Sequence, residues 1–501
     1  MKMSKEKYWP TRLHNGELPS GYYIEFMEAN IRSEDEINYK IYGEEYEDIQ
    51  DENVLLVQSY RSITYSKDIK LTIKIVPHSL LSRFENLKWL ELHCVGLEEL
   101  RENMFSCNPN IKEVRLTHNK LTKIQAGVFK NCKNMRWVDL GENEISTIDD
   151  DAFIGLENLD WLILNNNRIT YLKNSYFKPL KNLHSLYISG NLLEQLDENL
   201  FHGLDELREI RMSKNNIKSL PENLIRFLPK LSSIDLDNNQ IEDLKPEFLA
   251  LPLQLNCFDI SGNNIRVIHA DLFKEQPNIS YVKFCNNQIE KLHSDTFKTL
   301  NNLQTLKIRF NKLTDIDKKL FDNNSKMFEL NLRGNQISTI HPAAFSKLKN
   351  VYKLTLSENC ITELAESIFD GMTSLSQLYL NNNKIKELHV NLFRDTKLYS
   401  LLLDYNDIQT FDQKVFEFVP NLSMFGFTNN PGSHMINEKF LKIFKQGKRF
   451  LLYKYYLKDD FSDECISYEL LNKKEEIKKE KNADAIDEFD DDCDLGFGLF
   501  D

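Results

Sequence analysis

The stretch Ile111-x-x-Val114-x-Leu116-x-x-Asn119-x-Leu121-x-x-Ile124 returns as Leu303-x-x-Leu306-x-Ile308-x-x-Asn311-x-Leu313-x-x-Ile316, and that recurrence decides the fold. Aligned on the asparagine, the pattern runs through Asn119, Asn143, Asn167, Asn191, Asn215, Asn239, Asn263, Asn287, Asn311, Asn335, Asn359, Asn383, Asn406 and Asn430. The step is 24 residues, with one step of 23 between Asn383 and Asn406. A period of this size signals a solenoid. Val114 and Leu116 share one face of a short strand, and Leu121 and Ile124 turn inward after a bend. At the bend the asparagine amide, both donor and acceptor, can satisfy backbone groups that the chain leaves unpaired. One unit cannot cover its own apolar side, so neighbours must stack.

Ten residues after each asparagine a second signature appears. Phe129, Phe153, Phe177, Phe201, Phe273, Phe297, Phe321, Phe345, Phe369, Phe393, Phe416 and Phe440 hold that place, with Phe105 in the first unit and Ile225 and Leu249 as exceptions. This predicts an aromatic spine on the convex side. Burying each ring contributes about 1.5–3 kcal/mol, so the spine is structural.

The pattern resembles the 24-residue, phenylalanine-bearing leucine-rich repeats of animal extracellular proteins such as Toll receptors and Slit, over fifteen units from Leu87 to Asn430. The segment from Leu80 to Leu92 is similar to the start of the repeats in secreted insect leucine-rich immune proteins. The resemblance implies an α/β solenoid: a leucine-rich repeat horseshoe with a parallel concave β-sheet of about fifteen strands and an irregular or short helical convex side. Strands about 4.8 Å apart would make that wall about 65 Å long. In order along the chain we expect a polar, acidic leader over 1–53, an N-terminal cap over 54–86, the solenoid over 87–430, a C-terminal cap over 431–458 and a charged, disordered tail over 459–501. In the C-terminal cap, Ile436, Phe440, Leu441 and Phe444 recur at helical spacing. The tail carries Asp484, Asp487, Glu488, Asp490, Asp491, Asp492, Asp494 and Asp501 among Phe489, Leu495, Phe497, Leu499 and Phe500. These charges supply most of the net −13.

The 41% hydrophobic and 28% charged fractions are those of an ordinary soluble protein. No apolar run approaches the roughly 18 residues of a membrane span. Basic residues at Lys2, Lys5 and Lys7 are followed by no apolar stretch, which predicts a cytoplasmic chain as written; the repeat class implies a secreted one. The motif Asn430-Pro431 begins a cap as in the relatives but continues Gly432-Ser433-His434-Met435 where they have cysteines. Of the eight cysteines, Cys107 and Cys132 lie at nearly equivalent places in adjacent coils and could pair in an oxidising compartment. Buried free thiols are the expected state. Sequons stand at Asn278, Asn323 and Asn421.

Function belongs on the outward strand columns, whose residues packing does not dictate. Trp89, Trp137 and Trp161 share one column, with Tyr187 in the next. Tryptophan there is a candidate hot spot; the alternative is that the rings stiffen the sheet against cross-strand neighbours. Lys283, Lys307, Arg309 and Arg333 gather on three adjacent strands further along as a candidate seat for an acidic partner or a phosphate-rich ligand. Asp235, Asp237 and Asp259 precede them, so that Asp259 and Lys283, being same-column neighbours, are expected to pair. His93, Cys94 and His118 come close on adjacent strands, a weak metal signal. No catalytic or phosphate-loop motif is present, so no enzyme and no cofactor is expected. The negative charge disfavours nucleic acid. The expected function is recognition of a protein or glycan ligand on the concave face, in innate immunity or cell recognition. The alternative is an intracellular scaffold for signalling partners.

Overall fold

Short parallel strands repeat at the predicted places because each coil offers one buried residue between two outward ones. In Trp137–Asp139 the central Val138 is fully buried while Trp137 and Asp139 are half-buried. The computed structural model describes residues 87–251 and 254–436, with the short segments 22–23, 30–31, 54–58, 72–76, 81–82, 451–454 and 464–467. The chain divides into two units, Met1–Asn311 and Lys312–Asp501.

In the first unit, ten strands from Trp89–His93 to Thr305–Lys307 hold the repeat positions. Consecutive strands pair in parallel, in a register that sets Trp137 opposite Trp161 and Asp259 opposite Lys283. Val54–Gln58 pairs in parallel with Trp89–His93. In the second unit, five strands hold those positions: Glu329–Asn331, Lys353–Thr355, Gln377–Tyr379, Ser400–Leu402 and Met424–Gly426. They too pair in parallel, one coil to the next. Each unit is thus a solenoid of stacked coils, and ten and five together match the fifteen strands expected.

The asparagine does what its place in the pattern predicts. Asn263 is buried; its Oδ1 accepts from the Ile241 N–H at 2.9 Å, and its Nδ2 donates to Leu236 O at 3.0 Å and Ser261 O at 2.9 Å. In the second unit Asn430 accepts from Ile408 N–H at 3.1 Å and donates to Leu403 O at 2.8 Å. Each amide therefore ties its own coil to the one before.

The bend itself is left-handed. The residue before each asparagine has positive φ: 56° at His118, 54° at Glu142, 52° at Lys214 and 55° at Glu358. Such a conformation costs a side-chain-bearing residue roughly 1–2 kcal/mol. Glycine takes the same place at Gly190 and Gly262. With Gly334, and with asparagine at Asn166, Asn238, Asn286, Asn382 and Asn429, residues that tolerate this conformation hold eight of the fourteen places.

The phenylalanine spine is present in both units. Phe105, Phe129, Phe153, Phe177 and Phe201 are buried, with ring centroids 5.7–6.5 Å apart along the row. In the second unit Phe369 and Phe393 stack at 6.2 Å. The convex side is irregular, with a short helix at Asn174–Phe177 and 3-10 turns at Pro246–Leu249 and Gln413–Phe418. Short secondary strand pairs also form there, such as Lys123–Ile124 with Thr147–Ile148. A further ladder is built from asparagines: Asn134, Asn158 and Asn182 each donate to a carbonyl of the preceding coil, those of Pro109, Lys133 and Glu157. The helix expected around Phe440, Leu441 and Phe444, and most of the leader and tail, lie outside the described residues.

Candidate functional site

Strand pairing decides which outward side chains meet. Trp137 and Trp161 lie opposite each other on adjacent strands and stack, with centroids 5.2 Å apart and 29° between the planes. Both are half-buried. Trp89 is set apart from them, because Glu113 stands between Trp89 and Trp137 in the column. That intervening strand contributes something the sequence did not flag: Arg115 pairs with Glu113 and brings its guanidinium 5.4 Å from the Trp137 ring. On the far side the Trp161 ring lies 6.5 Å from His184. The result is a row of cation, indole, indole and imidazole carried on consecutive coils. The Trp137 Nε1–H is buried and, among the described residues, has no hydrogen-bond partner.

Tyr187 is engaged within the sheet. Its hydroxyl donates to Glu209 at 2.6 Å, Arg211 lies 4.7 Å over its ring, and Arg211 in turn pairs with Glu209 at 2.8 Å. Burial, followed by the charge of Glu209, raises the pKa of this phenol. Tyr187 thus keeps its hydroxyl occupied within the sheet.

The basic group divides. Lys283 and Lys307 are opposite each other in the first unit, and Lys283 lies 3.3 Å from Asp259, as same-column pairing predicts. Arg309 is two residues beyond Lys307, with its guanidinium 6.0 Å from the Phe310 ring. Arg333 belongs to the second unit, where it holds Glu358 Oε1 through Nε at 3.1 Å and Nη2 at 2.8 Å. Beside Lys283 the acidic residues crowd: Asp235 and Asp259 are opposite neighbours. Burial, then the charge of Asp237, pushes Asp235 up to about 7. The Asp237 N–H donating to its Oδ1 at 3.0 Å opposes that shift.

His93 Nδ1 sits 2.8 Å from Thr117 Oγ1, and the His93 and His118 rings are 4.7 Å apart. Burial and the neighbouring His118 lower the pKa of His93, which favours the neutral imidazole. Cys107 and Cys132 are free thiols. Burial pushes Cys132 up to about 12, which makes it a poor nucleophile. No described helix is long and apolar enough to cross a membrane.

A family model described as leucine rich repeat matches residues 109–169, 157–217, 181–241, 253–313, 277–337, 301–359, 330–385 and 349–396. The chain matches no curated protein. Among solved structures it is similar to a chain of the Toll–Spatzle complex of Drosophila, at 24% identity and TM-score 0.65, covering 75% of this chain and 50% of that one. It thus spans half the length of that relative. The leucine-rich repeat protein LIC12759 of Leptospira interrogans has the same identity and TM-score, with 75% and 92% covered. The plant peptide hormone receptor RGFR1 in complex with RGF2 aligns at 18% identity and TM-score 0.51, covering 71% and 61%. At these identities the likeness is one of fold.

Proposed function

Because this chain belongs to the leucine-rich repeat family, we propose that it works by recognition, holding a protein or glycan ligand on the outward strand face of its first unit. In this reading it carries out no chemistry of its own, and its setting is innate immunity or cell recognition. The observation that carries the proposal is the Trp137–Trp161 stack, flanked by Arg115 and mounted on paired strands. Large aromatic rings and arginine held in place lose little freedom on binding, which is why they dominate interface energetics. Trp89 and Tyr187 would lie at the margins of such a footprint, and Lys283, Lys307 and Arg309 would meet acidic groups further along the same unit. In the second unit, Arg333 would take part only by exchanging Glu358 for a ligand carboxylate.

Affinity capture on the full chain tests this when run in parallel with Trp137→Ser and Trp161→Ser combined. A hot spot of at least 2 kcal/mol predicts a ligand retained about 30-fold less by the double variant. Identical retention by both baits refutes the assignment.

The second reading, an intracellular scaffold for signalling partners, is favoured by Cys132, Cys257 and Cys285, which are buried as free thiols. Asn278, Asn323 and Asn421 are exposed. A glycan at any of them on protein from its native source would exclude the intracellular reading.

A further inference from the structure

The residue just before each of the first four strands of the second unit lies outside both the core and the strand columns. In consecutive coils it is Phe328, Tyr352, Ser376 and Tyr399. Backbone N–H groups donate from Tyr352 to Phe328 O at 2.8 Å, from Ser376 to Tyr352 O at 3.0 Å and from Tyr399 to Ser376 O at 2.8 Å, which joins the four as one ladder. The rings are open to solvent: Phe328 is 53% exposed, Tyr352 38% and Tyr399 49%. Phe328 and Tyr352 stack at 5.3 Å with 2° between their planes. Packing does not ask for rings here, since the same position in the first unit holds Lys112, Arg136, Asp160 and Arg208.

Ser376 interrupts this aromatic row. With parallel strands about 4.8 Å apart, the backbones carrying Tyr352 and Tyr399 stand about 9.6 Å apart. A ring seated over Ser376 would be about 4.8 Å from each, within the range that aromatic pairs adopt. Exposed Lys326, Lys349 and Lys397 stand two or three residues ahead of the rings. The ladder therefore suits a ring flanked by negative charge.

This chain contains such a sequence in the same unit. We propose that segment 484–501 docks on the ladder in cis, with Phe489 over Ser376 and with Asp487, Glu488, Asp490, Asp491 and Asp492 facing the lysines. The segment can reach it. Glu464–Ser467 pairs with Leu451–Lys454, which pairs with Met424–Gly426. From there the Phe328 coil is about 29 Å away at the strand spacing, and residues 468–483 extend to about 50 Å. The ladder belongs to the second unit and the tryptophan row to the first, so this inference does not rest on the function proposed above. An outside acidic, aromatic peptide would have to displace it.

The test is a fluorescence anisotropy titration with a labelled synthetic peptide of residues 484–501. One titrant is the wild-type full chain. The other is the full chain disarmed by Phe489→Ser, Phe497→Ser and Phe500→Ser. The peptide should bind the disarmed chain and bind wild type at least tenfold more weakly, because the tethered segment competes at an effective concentration in the millimolar range. Salt should weaken binding. In the disarmed chain, Ser376→Tyr fills the gap and Tyr352→Ser removes one wall, so each should abolish binding while circular dichroism stays unchanged. Absence of binding to the disarmed chain, equal binding to both chains, or undiminished binding to both Ser376→Tyr and Tyr352→Ser overturns the proposal. So does light scattering that finds wild type dimeric and the disarmed chain monomeric, which would place the segment on a second copy.

Discussion

Replacing Asn263 by alanine tests the device that joins one coil to the next. Its side chain is buried and supplies an acceptor to the Ile241 N–H at 2.9 Å and a donor to Leu236 O at 3.0 Å, both in the preceding coil. Alanine fills neither role. Each orphaned buried polar group costs about 1–3 kcal/mol, so the two together should cost about 2–6 kcal/mol. Asn264 is the control, since it is exposed and adjacent. Its alanine variant should fall within about 0.5 kcal/mol of wild type. Urea denaturation of both variants gives the comparison, and amide hydrogen exchange at Ile241 locates the damage: its protection should collapse in Asn263→Ala alone. Equal midpoints for the two variants, or an Ile241 amide still protected, would refute the claim that the asparagine amide closes the bend.

Phe297→Ala should cost about 3–5 kcal/mol by opening a cavity in the spine, measured as a lower denaturation midpoint. Trp137→Ala, read from the sequence alone, should leave stability nearly unchanged; the stack with Trp161 raises the expected loss by about 0.5–1.5 kcal/mol, still well below that of Phe297→Ala, and the two melting curves give the comparison. Acid should stabilise the first unit through Asp235. Its folded pKa of about 7 lies above the unfolded value of about 3.9, so the native state binds more protons between those values, and stability falls as pH rises from about 4 to 7. Asp139, which burial also pushes up, acts with the same sign. Melting temperatures at pH 5.5 and 8 should show this trend, and Asp235→Asn should flatten it.

Periodicity made the architecture legible because it repeats one decision many times. Asparagine, leucine and phenylalanine at fixed offsets named the strand, the bend and the spine, and even the pairing of Asp259 with Lys283 followed from counting. Side-chain partnership was harder to read. That Trp89 stands one unit away from Trp137 also followed from counting, but the Arg115 guanidinium that the intervening strand brings to the Trp137 ring did not. Arg333 stands in an outward column, but its guanidinium is held by Glu358, twenty-five residues on, a partner that column spacing does not name. The Phe328, Tyr352 and Tyr399 row was visible in principle, as one more column at the repeat spacing, but it sits just outside the strand.

By itself the sequence determined the period, the buried side of each strand and the residues free to vary, since burial of leucine and phenylalanine dominates the energetics and is written at every repeat. Only the tertiary structure decided which exposed side chains satisfy one another and which remain open. Those choices depend on ångström-scale distances between residues about twenty-four apart, which the repeat pattern does not specify.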